Sequence, residues 1–216
     1  MAAKTLDESH PSEASDQRRD QMLIAAAELI AERGFSETRI ADVARRVGAS
    51  PALVIYYFGT KDSLLTAALR YSEETFYTSC AEMLAKTSNT WDRLENLARM
   101  TCVPDADEGI TGTWGLWFDL WAQAFRHPEV GRDRVELERR WRTTIEDVVR
   151  QGIEAGDIDS VNPEEFAVTW AVLLDGLSIQ VALRDEKVDP ERAVTIAMQM
   201  VERELNLAPA KATKKR

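Results

Sequence analysis

Histidine and cysteine are nearly missing from these 216 residues, with two of each. His10 and His127 stand apart from any ligand-bearing neighbour at metal-site spacing, so no metal site is expected. Cys80 and Cys102 lie in helical apolar patterns without a partner motif, which makes them core thiols rather than a disulfide or redox pair. With so few histidines, no Gly-rich phosphate loop and no nucleophile beside a base, there are no catalytic residues to assign. Neither a cofactor nor an enzyme is expected. No run approaches the ~18 apolar residues of a membrane span, so a membrane is not among the expected partners. The first sixteen residues are polar and acidic and lack the apolar core of a secretory signal, which points to the cytoplasm. Strand-like alternation is absent as well.

What remains is a globular composition, 44% hydrophobic and 30% charged. The net charge of −10 argues at first against a polyanionic partner. Its distribution removes the objection: residues 17–70 carry +2, whereas residues 71–210 carry −13. Attraction to a polyanion depends on the local field, and the N-terminal portion is mildly basic.

The chain reads as all-α, with nine helices and with glycines and prolines marking the joints. They are expected near 18–33, 39–47, 51–57, 61–86, 91–103, 113–126, 129–154, 163–184 and 190–207. Four segments follow: a disordered leader at 1–16, a head at 17–63, a body at 64–207 and a basic, disordered tail at 208–216. Gly34 and Gly48 sit at C-cap positions, and Ser50-Pro51 pairs an N-cap serine with proline at N1.

The stretch 38–58 has the layout of a helix-turn-helix. Ile40, Val43, Ala44 and Val47 form one stripe, Ala44 allows close approach, and Gly48 opens the turn. In the second helix Val54 and Phe58 can face inward while Leu53, Tyr56 and Tyr57 point elsewhere. Tyrosine hydroxyls suit phosphates and their rings suit thymine methyls, and the amides after Ser50 could meet a phosphate. The same spacing also fits two ordinary packed helices with tyrosines plugging a core.

The surrounding residues favour the first reading. Ala26 through Phe35, Thr38 through Val47, Tyr56-Tyr57-Phe58, and Lys61 through Leu65 with Ala68 together resemble the TetR family of bacterial one-component regulators. That resemblance implies a homodimer on palindromic operator DNA, usually a repressor, released when a small molecule enters the C-terminal body. It makes Thr38 and Lys61 phosphate contacts, makes Arg39 a base-edge contact, and places Leu53, Tyr56 and Tyr57 on the recognition helix. Leu53 and Ile55 depart from the family pattern, so that with Ala52 the base reading leans on apolar contact and Arg39. Arg18 and Arg19 could reach phosphates or a minor groove as an arm. A TetR-type activator, or a ligand-binding helical bundle with no role at DNA, is the alternative.

In the body, the helix at 163–184 is apolar nearly all round and the one at 190–207 carries a clean stripe. Two of each would make a four-helix dimer seam. Trp114, Trp117 and Trp121 recur at spacings of three and four, with Asp119 among them. Trp91, Trp141 and Trp170, with Leu174 and Asp175, are the further candidates for the ligand site. Indoles around a carboxylate suit an organic cation, although core packing accounts for any one tryptophan. Residues 115–121 and 174–177 also look like the C-terminal domain of the family's choline-responsive, betaine-pathway branch.

Overall fold

The computed structural model describes residues 10–103, 115, 117–119, 121–122, 125 and 128–208. The described residues include eight helices: α1 (His10–Arg33), α2 (Ile40–Arg46), α3 (Pro51–Phe58), α4 (Lys61–Lys86), α5 (Thr90–Cys102), α7 (Pro128–Ala155), α8 (Pro163–Ala182) and α9 (Pro190–Leu205). The described residues between 115 and 125 are helical too and are called α6, giving the expected nine. No strand occurs among the described residues.

The joints follow from local chemistry. Ser50, Asn89, Asn162 and Asp189 each cap a helix by accepting a backbone N–H, and proline opens the helix after three of them. Gly34, Gly48 and Gly59 take positive φ of 84°, 64° and 73°, which closes α1 and separates the short α2 and α3 from each other and from α4.

Two units are distinguishable by packing. The first comprises the described residues of 1–76 and 111–122, the second those of 77–110 and 123–216. The core of the first joins Met22, Leu29 and Ile30 of α1 to Val43 and Ala44 of α2, Val54 of α3, and Leu64, Leu65 and Ala68 of α4. A boundary at residue 63 is therefore corrected. The first turns of α4 are core to the head, because a three-helix unit this small cannot close its apolar faces alone. The leader is corrected as well: α1 begins at His10, not near Arg18. Its first two turns are polar, and a helix without an apolar face leaves no period to read. Residues 1–9, and the tail beyond Ala208, lie outside the described residues.

In the second unit α8 packs on α5, α7 and α9 through Phe166, Ala167, Trp170, Ala171, Leu174, Leu177 and Val181. Its 20 residues, at mean hydropathy 1.3, make it long and apolar enough to cross a membrane, contrary to the expectation that no segment would be. The three helices packed on it make it a core helix of this bundle. The turn after α7 is held down where the Thr90 hydroxyl donates to Asp157 at 2.6 Å.

Candidate functional site

The head presents its second and third helices as expected, with side chains divided differently. Ala49 N–H donates to Ala44 carbonyl at 2.8 Å across the Gly48 turn, setting α3 against α2. The Ser50 hydroxyl accepts from Leu53 N–H at 3.2 Å. Val54 is the buried anchor of α3, and Leu53, Tyr57 and Phe58 lie half-buried against the head core. Tyr57 does not point away as expected; its hydroxyl meets the Ser15 hydroxyl at 3.1 Å. A tyrosine one position from the core stripe can lay its ring on that core and keep only its oxygen polar. What faces solvent is Ala52, Ile55 and Tyr56, with Tyr56 81% exposed. Their three- and four-residue spacing puts them on one face.

The expected phosphate contacts also differ. Thr38 is 0% exposed and its hydroxyl donates to Gly34 carbonyl at 2.9 Å. It fastens the turn between α1 and α2 and is removed from the list of DNA contacts. Lys61 is half-buried and its Nζ donates to Ser36 carbonyl at 2.8 Å, tying the start of α4 to the same turn. Arg39 stands exposed as the N-cap residue of α2, without a side-chain cap bond. Arg18 and Arg19 are exposed on α1, and the Arg19 guanidinium lies 5.5 Å from the Phe58 ring centroid.

Sequence reasoning missed the clamp that holds α2. Arg46 donates to Glu28 at 3.0 Å and to Glu32 at 2.9 Å, two carboxylates one turn apart on α1. These bonds raise the Arg46 pKa further above its ordinary value. The i, i+4 glutamate pair was the available signal.

The expected ligand residues divide between the two units. Trp117, Asp119 and Trp121 fall in the first unit, and Trp91, Trp141, Trp170, Leu174 and Asp175 in the second. Trp114 lies outside the described residues. Asp119 has a partner within the head: its Oδ2 accepts Phe35 N–H at 2.5 Å, just past the end of α1. Trp117 meets the Phe76 ring edge-on at 6.4 Å, and Trp121 meets Phe118 at 5.6 Å. Trp170 is corrected to a core residue: fully buried, it donates Nε1–H to Ala197 carbonyl at 3.1 Å and stacks on Phe166. Leu174 is fully buried beside it on α8. Trp91 donates to Glu95 at 3.3 Å, while Trp141 and Asp175 are half-buried.

Cys80 and Cys102 are both buried, as expected of core thiols. Burial pushes both thiols up to about 12, helped at Cys102 by the Asp175 charge, so neither is a nucleophile at neutral pH. A feature not foreseen is the Arg140 guanidinium of α7, 4.0 Å from the ring centroid of Tyr77 on α4.

Comparison with known proteins agrees with this layout. Residues 23–68 match the model for bacterial regulatory proteins of the tetR family. Residues 92–206 match the model for the C-terminal part of BetI-type transcriptional repressors. The HTH-type transcriptional regulator BetI of Cronobacter sakazakii is 26% identical over 189 residues, covering 87% of this chain and 91% of its own. A TetR-family chain from Rhodococcus sp. superposes with TM-score 0.74 at 30% identity, covering 88% of this chain and 99% of its own. A Saccharomonospora viridis chain, described as a transcriptional regulator and solved in complex with choline, superposes with TM-score 0.78. It is 26% identical, over 87% of this chain and 96% of its own.

Proposed function

The chain belongs to the TetR family, with a C-terminal domain of BetI type, and from a DNA-binding regulator of that kind we propose a homodimeric repressor that an organic cation releases from a palindromic operator. It is a transcriptional regulator and not an enzyme. The observation that carries the reading is the outer face of α3, where Tyr56 stands 81% exposed beside Ala52 and Ile55. A large aromatic on an open face of an eight-residue helix lacks a packing role and suits a groove. Arg39 supplies the hydrogen-bond donors that this apolar face lacks, and Arg18 and the Ala52 amide, just behind Ser50, are the phosphate contacts. Lys61 joins them if its ammonium leaves Ser36 for a phosphate.

The cation half of the proposal draws support from the choline held by the Saccharomonospora viridis relative and from the net −13 over residues 71–210. A cytoplasmic location accords with a regulator acting on chromosomal DNA. The test is binding to the DNA upstream of the protein's own gene, followed by fluorescence anisotropy against salt. Specific binding that weakens steeply with salt is expected. Binding no tighter than to random duplex would leave a ligand-binding bundle as the better account.

A further inference from the structure

We propose that Arg140 is a resident cation of the effector site, its guanidinium holding the Tyr77 face that an ammonium effector takes on binding. This rests on the cation reading above and adds to it a seat, an occupant and an exchange. Tyr77 is 7% exposed and lies on the inner side of α4, one turn before the buried Cys80. The Cys80 thiol reaches Met100 of α5 at 3.7 Å, so this side of α4 faces the interior of the second unit. The Arg140 guanidinium comes from α7 and lies 4.0 Å from the Tyr77 centroid, close enough for stacking. A carboxylate of α8, Asp175, lies in the same bundle, where its charge acts on Cys102.

A positive charge drawn among helices this acidic is favourable only while it has a partner. Guanidinium, planar and weakly hydrated, suits an aromatic face. A quaternary ammonium has no N–H to donate, so the face of a ring is its main means of recognition. Exchanging one cation for another leaves the charge at the Tyr77 ring unchanged, whereas entry beside a retained Arg140 would set two like charges together. The effector must therefore displace the guanidinium, and its apparent affinity carries the cost of doing so.

The test is isothermal titration of the purified full chain with choline chloride and tetramethylammonium chloride, with folding checked by circular dichroism. Arg140→Met keeps the stem and removes the charge. It should bind choline on the order of tenfold more tightly than wild type. Arg140→Gln serves in the same way if the methionine variant does not fold. Arg142→Met removes an equal charge two residues away, from a side chain paired with Glu138, and should leave the affinity within about twofold. Tyr77→Phe should bind as wild type, and Tyr77→Leu should bind more weakly. Equal or weaker choline binding in the Arg140 variants overturns the exchange while leaving the cation reading intact, as would equal tightening in Arg142→Met. Failure of wild type and every variant to bind either cation overturns the cation reading and the seat together.

Discussion

A hydroxyl that donates to a carbonyl inside the fold is not available to a phosphate outside it. Thr38 and Arg39 are neighbours in sequence with opposite fates: one wholly buried against Gly34, the other exposed at the start of α2. Thr38→Ala should destabilise the head by about 1–2 kcal/mol, because Gly34 carbonyl loses a buried donor. Thr38→Ser should recover most of that in a denaturant titration, and neither should change operator discrimination. Arg39→Ala should leave stability alone and lower discrimination among base-substituted operators by about 1–3 kcal/mol. An Arg39→Ala variant that loses affinity equally for every duplex would make Arg39 a phosphate contact instead. Residue chemistry was legible here and direction was not. Periodicity places Tyr56 and Tyr57 together on the outer side of α3, yet only Tyr56 stays there, because Tyr57 bends back to the core and to Ser15. Asp119 was read as a counter-charge because its neighbours are indoles. Its partner is a backbone amide 84 residues earlier, a separation local pattern cannot span.

At the scale of elements, the helix starts with caps were the readable ones. Serine, asparagine or aspartate followed by proline marked α3, α8 and α9 to the residue. The polar start of α1 carried no apolar period and was missed. Within the first unit, α6 approaches the end of α1 at two points one turn apart. Asp119 accepts from Phe35, and a Cβ built on Gly115 would sit 2.6 Å from Ala31 carbonyl oxygen and 3.1 Å from its Cα. Backbone atoms of a helix cannot yield as a flexible side chain would, so only glycine allows this approach. Gly115→Ala should therefore cost about 1–3 kcal/mol in thermal or denaturant unfolding, the usual range for overpacking. It should also lengthen or break the Asp119–Phe35 bond, seen as faster hydrogen exchange at the Phe35 amide. Unchanged exchange and stability would contradict so close an approach.

For the whole molecule, the proposed seam is narrower than the sequence suggests. Leu177 of α8 and Ala197 of α9, which the apolar faces of those helices offer to a partner, are buried within the second unit of one chain. The apolar surface left on α8 runs through Val172, 61% exposed, and ends at Leu183, 72% exposed, just past its C-terminus. Val172→Glu should reduce the light-scattering mass toward one subunit, and operator affinity should fall with it, since two heads are needed for two half-sites. A wild-type mass of one subunit would end the dimer proposal. The fold class and the helix-turn-helix were readable because each rests on short-range signals. The ligand site was not, because it depends on which helices meet, and the expected residues proved to belong to two packing units.

The central claim is that an organic cation in the body releases the head from DNA. It is tested most directly by titrating choline chloride into the protein bound to a fluorescent duplex from its own upstream region, at fixed salt, and following anisotropy. Sodium chloride at equal ionic strength and a neutral aromatic compound are the controls. The account predicts that choline returns the anisotropy to that of unbound DNA at concentrations where both controls leave the complex intact. Full retention of the duplex under saturating choline and tetramethylammonium, or release by the neutral compound alone, would contradict it.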